Sequence, residues 1–133
     1  MNPVSLLAVG SGAVLGAWLR WWLGLRLNAI HPALPMGTLA ANLLGGYIIG
    51  VAAGAVIEEV GLTPQTRLFI MTGFCGGLTT FSTFSIEAVT LFSRGQLLWG
   101  LGEIMLHVGG SLAATTLGLY SIRVLKHLAQ GAA

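Results

Sequence analysis

Charge is scarce in this chain. Only 8% of its 133 residues are charged, six Lys/Arg and four Asp/Glu, where a soluble domain carries about 25%. With 55% hydrophobic residues and a mean hydropathy of +0.85, the composition is that of a membrane protein. A formal charge of +2 resting on so few groups is no basic surface, which sets nucleic-acid binding aside. The single cysteine, Cys75, lies in an apolar stretch, so one chain holds neither a disulfide framework nor a cysteine metal site. The N-terminus lacks a basic residue, and its apolar run continues through Trp18, Trp21 and Trp22 without a cleavage site, so the first segment is expected to stay as a helix. Glycine, by contrast, is abundant at 20 residues. In helical membrane proteins it points to close helix packing and local breaks.

A hydrocarbon core about 30 Å thick takes roughly 20 apolar helical residues to cross. Uncharged or nearly uncharged runs of that length fall at 4–25, 37–57, 68–93 and 97–122. These predict one all-α transmembrane domain over residues 1–133 with both termini on the same side. Turn residues separate the runs: Asn28, Pro32 and Pro35, then Gly61 and Pro64, then Arg94 and Gly95. Trp18, Trp21, Trp22 and Trp99 sit near span ends, where aromatic belts anchor helices. Arg20, Arg26 and Arg94 fall on one side of the membrane, and Arg67, Arg123 and Lys126 on the other. Without a Lys/Arg bias the chain has no electrostatic reason to insert one way only. Four short helices leave little room for an internal pore, so an oligomer is expected. Two oppositely inserted copies can pair about a two-fold axis in the membrane plane.

Gly46, Gly50 and Gly54 recur every four residues and line one face of the second span. Gly10, Gly12 and Gly16 do similar work in the first, and their spacing misses a dinucleotide fingerprint. Asn42 sits in an otherwise apolar helix, where an unpaired amide costs several kcal/mol; it makes an interhelical hydrogen bond or donates into an anion pathway. Residues 73–85, Gly-Phe-Cys-Gly-Gly-Leu-Thr-Thr-Phe-Ser-Thr-Phe-Ser, combine three glycines with hydroxyl residues and predict a break at mid-membrane. Carbonyls exposed at such a break often coordinate a small cation. Phe81 and Phe84 share a face, as do Thr80, Thr83 and Glu87. His107, Ser111 and Thr115 form a polar stripe on the fourth span, with His107 either a packing hydrogen-bonder or part of a vestibule. Of the two acids in the last two spans, Glu103 is expected close enough to the span end to reach water, which leaves Glu87 as the functional candidate.

Gly16-Ala17-Trp18-Leu19-Arg20-Trp21, Gly37-Thr38-Leu39 with Asn42 and Gly45, and above all the run from Gly73 to Phe84 followed by Glu87 resemble the Fluc (CrcB) fluoride channels of bacteria, through essentially the whole chain. The resemblance implies a passive fluoride channel, not an enzyme. It would be a multi-pass protein of the bacterial inner membrane, an antiparallel, dual-topology homodimer with two pores and a central structural sodium ion, and it would lower cytoplasmic fluoride. Carried over, Asn42 is the pore amide, Phe81 and Phe84 the pore phenylalanines, and Gly76 and Thr79 give backbone carbonyls to sodium. Ser82, Thr83 and Ser111 match polar pore-associated positions, and Glu87 matches the acid after the motif. Arg20 matches the structural arginine ending the first helix. His107 matches no motif.

The residues themselves suit an anion task. Fluoride is small and strongly hydrated, so a pore must replace its water with N–H and O–H donors, which Asn42 and the hydroxyls supply. Aromatic edges carry partial positive charge and add weak contacts from Phe81 and Phe84. A dual-topology multidrug exporter would share the size and charge balance but keeps its substrate-binding acid in the first span, where this chain has none. A small lipid kinase would need clustered carboxylates for Mg²⁺, and a non-catalytic assembly protein leaves the polar mid-membrane run unexplained.

Overall fold

A computed structural model describes residues 2–131. Helix α1 (Pro3–Leu27) begins where the Asn2 side chain accepts the Val4 N–H at 3.0 Å and proline takes the first helical position. Helix α2 (Met36–Ile57) follows Pro35, which supplies no side-chain cap. Asn28, at the end of α1, caps it instead: its Oδ1 accepts from Gly37 N–H at 2.8 Å and Thr38 N–H at 3.3 Å. The third span is composite. A single turn, α3 (Pro64–Arg67), leads into a π-helical stretch (Leu68–Cys75), a short α4 (Gly76–Leu78), two extended residues and then α5 (Phe81–Ser93). Gly95, at φ 72°, turns the chain into α6 (Leu97–Gly131).

Four helical stretches are long and apolar enough to cross a membrane, the third counted across its break from Pro64 to Ser93. No strand occurs among the described residues. The bounds differ from the expected runs by more than two residues at two ends. The third span starts at Pro64 rather than 68, because Thr63 Oγ1 accepts the Thr66 N–H at 3.2 Å and proline again opens the helix. The fourth continues to Gly131 rather than 122 and carries Arg123 and Lys126 to the end of α2. There Glu58 Oε1 accepts from Arg123 Nε and Oε2 from Lys126 Nζ, each at 3.2 Å, and the Glu58 carbonyl accepts from Lys126 Nζ at 2.7 Å. Hydrogen bonds from Lys126 and then Arg123 hold the Glu58 carboxyl below the usual carboxylate range.

The glycines set the packing. Gly12 and Gly16 of α1 interleave with Gly73 and Gly77 of the third span. A Cβ on any of them would overlap backbone: Phe69 and Phe74 carbonyls on one side, Val9 and Ala13 carbonyls on the other. Gly50 and Gly118 do the same between α2 and α6, against the Thr115 and Tyr47 carbonyls. Trp18, Trp21, Trp22 and Trp99 are exposed. The interior is thin, and its largest fully buried side chains are Leu78 and Glu103.

Candidate functional site: a groove at the helix break

The expected break within 73–85 falls at Thr79 and Thr80, on its hydroxyl side, because Gly73 and Gly77 are committed to packing against α1. Both threonines are extended, with φ −80°, ψ 153° and φ −149°, ψ 116°. In an unbroken helix the Thr80 N–H would close on the Gly76 carbonyl. Here it donates to Asn42 Oδ1 at 2.7 Å, and Asn42 Nδ2 donates back to the Thr80 carbonyl at 3.1 Å. The amide of α2 thus stands in for the missing turn. Arg20 Nε donates to the Gly77 carbonyl at 3.0 Å, covering a second acceptor at the same interruption. Thr80 Oγ1 then caps α5, accepting the Thr83 N–H at 3.1 Å, and donates to Thr83 Oγ1 at 2.9 Å. Gly45 permits the approach, since a Cβ there would overlap the Thr79 methyl.

The second Asn42 Nδ2 proton points at His107 Nδ1, 2.9 Å away. That contact assigns Nδ1 as acceptor and leaves the proton of a neutral imidazole on Nε2. Both donors and the acceptor of Asn42 are therefore paired with protein, which is its interhelical hydrogen-bonding role. His107, which matched no motif, is buried and lies over Phe84, ring centroids 4.7 Å apart at 24°. Phe84 meets Phe81 edge-on at 5.5 Å and 67°. Phe84 is 7% exposed and Phe81 78%, so the outer ring has no cover within one chain.

These residues line a groove of about 510 Å³ between α2, the third span and α6. Asn42, Gly76, Thr79, Phe81, Phe84 and Ser111 meet there, with the His107–Ser111–Thr115 stripe along one wall. No Asp, Glu, Lys or Arg lines it. Three residues expected on the same pathway lie elsewhere. Ser82 is exposed, its hydroxyl 3.3 Å from Thr80 Oγ1. Thr83 lines a separate cavity of about 320 Å³ with Arg20 and Thr38. Glu87 lines a third, of about 280 Å³, with His31 and Arg94. The helical spacing of Thr80, Thr83 and Glu87 is real: Thr80 bonds Thr83 directly and shares its cavity, while Glu87, one turn further on, opens onto another.

Glu103 corrects an expectation. Rather than reaching water it is 1% exposed, and neither carboxyl oxygen has a hydrogen-bond partner. It lies beside Glu87 and His107, the three offering atoms within 4.8 Å of one another. Thr38 Oγ1 donates to Glu87 Oε1 at 2.7 Å, a contact the sequence reading missed. Its signal was present: Glu103 and His107 are four apart on one helix face, and Thr38 and Asn42 are four apart on another.

Residues 7–119 match the model of the CrcB-like protein family, also described as Camphor Resistance (CrcB). Among similar proteins, the fluoride-specific ion channel FluC of Pseudomonas putida (strain W619) is 61% identical over 115 residues, covering 86% of this chain and 91% of that protein. That of Pseudomonas syringae pv. maculicola is 58% identical over 121 residues, covering 91% and 95%. The protein of the same name from Nitrosospira multiformis is 54% identical over 125 residues, covering 94% and 98%.

Proposed function

The chain belongs to the CrcB-like family, and from that premise we propose that it is a fluoride-selective channel through which fluoride leaves the cytoplasm passively. It is a multi-pass bacterial membrane protein, and, its family being one of channels, not an enzyme. The observation that carries the pathway is the groove at the break. In hydrocarbon, irregular backbone persists only where it is buried or lines a polar cavity. This groove offers an amide, hydroxyls and aromatic edges with no full charge beside them. Such donors replace the hydration of a small anion, and the lack of a buried Lys or Arg keeps the ion free to leave. Asn42, Phe81, Phe84 and Ser111 line the path, with Ser82, Thr83 and Glu87 serving its approaches.

The working unit is an antiparallel homodimer with two pores. The balanced Lys/Arg count supports it. So does the open side of the groove, where Phe81 is bare and polar atoms face outward that lipid cannot satisfy. The residues at the break also fit a sodium ion. Gly76 is exposed, and its carbonyl loses the Thr80 N–H to Asn42, while Thr79 is extended beside it. Carbonyls of Gly76 and Thr79 from two copies would hold the ion, their partial charges suiting a monovalent cation. A bound ion supplies positive charge between carbonyls that would otherwise repel.

The test is fluoride efflux from liposomes containing the purified protein, followed with a fluoride electrode beside a chloride control. Flux without any proton or sodium gradient is expected. Strict gradient dependence, or equal chloride flux, overturns the reading. C-terminal reporter fusions are expected to signal on both membrane faces, and a single orientation throughout rules out the antiparallel pair.

A further inference from the structure

The groove does not account for Glu103. Its carboxyl is 1% exposed, both oxygens lack a partner, and so does Glu87 Oε2 beside it. The neighbouring cavity, lined by Leu34, Pro35, Leu39, Leu106 and His107, has no room for a water. Two carboxylates with oxygens within 4.8 Å of each other would be two like charges with no water between their buried oxygens, though Glu87 borders the cavity of about 280 Å³ on its other side. No Lys or Arg is ion-paired with either acid among the described residues. Around the pair the other titratable groups are His107 on α6, His31 and Arg94 on the cavity that Glu87 lines, and Arg20 behind Thr38. Something positive must sit between the acids, and the space admits nothing with a hydration shell.

We propose that Glu103 and Glu87 form a proton-binding site, in which Glu103 is a neutral carboxylic acid donating its O–H to Glu87 Oε2. Glu87 then carries a single negative charge, accepting from Glu103 on one oxygen and from Thr38 Oγ1 on the other. One proton satisfies Glu87 Oε2 and turns one Glu103 oxygen into a donor, and it leaves the other as a neutral carbonyl, unpaired but far cheaper to bury than a carboxylate. Glu103 is thereby a positioning residue. It holds Glu87 in one orientation and halves the negative charge at the approach. It also keeps a second charge away from the imidazole that carries Asn42. The proton site stands without the fluoride reading, and only its effect on flux rests on that reading.

Infrared difference spectroscopy of the full-length protein in lipid tests it. At neutral pH the wild type is expected to show the C=O stretch of a protonated carboxyl, lost in Glu103→Gln and kept in Glu87→Gln, where the lone buried Glu103 retains its proton. Absence of the band from the wild type overturns the proposal, and more so if metal analysis finds a stoichiometric divalent ion, which would assign Glu87, Glu103 and His107 as its ligands. A band that persists in Glu103→Gln also overturns it. In flux assays the wild type is expected to slow several-fold from neutral to alkaline pH as the second charge appears, and Glu103→Gln to lose that pH dependence. A normal band with no flux in any protein would spare the proton site and sink the channel reading. A normal band with the same pH profile in wild type and Glu103→Gln would remove the positioning role.

Discussion

Replacing Asn42 with Asp changes one atom and separates the two roles of this side chain. Oδ1 keeps the Thr80 N–H, 2.7 Å away, and the bond becomes charge-assisted, a gain of about 1 kcal/mol over the neutral bond it replaces. The oxygen replacing Nδ2 faces the Thr80 carbonyl at 3.1 Å and His107 Nδ1 at 2.9 Å. Each acceptor so orphaned costs about 1–3 kcal/mol, and His107 recovers one contact by taking up a proton. Burying the new carboxylate adds a desolvation cost of several kcal/mol, so Asn42→Asp destabilises the fold as well. Flux responds differently. A fluoride one contact away, at about 4 Å, meets a like charge worth about 4 kcal/mol at an effective dielectric of about 20, which is roughly a 10³-fold loss. Asn42→Leu loses the clasp without introducing a charge. It orphans both the N–H and the carbonyl of buried Thr80, for about 2–6 kcal/mol. Fluoride efflux per folded protein, with unfolding in detergent as the second axis, resolves the two. Wild-type flux in folded Asn42→Asp would mean that the ion never meets this amide and that Asn42 only clasps the break.

Gly12→Ala is expected to loosen the α1 contact by about 1–3 kcal/mol, since its Cβ overlaps the Phe69 carbonyl; Gly10→Ala, with open space around it, is the neutral control in the same unfolding assay. Arg20→Leu removes the donor to the Gly77 carbonyl and is expected to cost about 1.5–3 kcal/mol. Arg20→Lys should restore only part, and unchanged unfolding in both would deny Arg20 its structural role. The lowered Glu58 pKa gives a pH signature: its contribution is present above the unfolded carboxylate value, about 4.3, and is lost as pH falls through the folded value. Melting curves of Glu58→Gln are expected to be flatter on the acid side than wild type, and parallel curves would mean that the pairs with Arg123 and Lys126 contribute nothing.

The spans were legible because hydrocarbon thickness leaves so little choice of length, and the glycine faces because a four-residue repeat in a membrane helix has few uses besides contact. The break was legible as a region but not as a residue. Glycine and hydroxyl residues both weaken a helix, and only the third dimension shows that Gly73 and Gly77 face α1 while Thr79 meets Gly45 and Thr80 meets Asn42. Glu103 was misread for a related reason. Distance from a span end measures depth along the helix and says nothing about the face, and this acid faces α5 rather than water. Thr83 and Glu87 keep their four-residue spacing on one face of α5, beside Thr38, while Ser82 is exposed on another, and a periodicity count cannot tell which face meets the groove.

That every polar atom of Asn42 is already paired bears on how a pore can be both selective and fast. An anion entering the groove gains an Asn42 N–H only by displacing the Thr80 carbonyl or His107. It exchanges a neutral hydrogen bond, worth about 0.5–1.5 kcal/mol net, for one to an ion, worth about 1.5–3. The surplus is about 1 kcal/mol per donor, enough to favour entry over an apolar wall and small enough for departure to remain rapid. A dedicated free donor would bind more tightly and would stand unsatisfied between ions, at a cost the bilayer does not relieve. On the proposed path, the Asn42–Thr80–His107 clasp would thus act as an internal substitute for the ion.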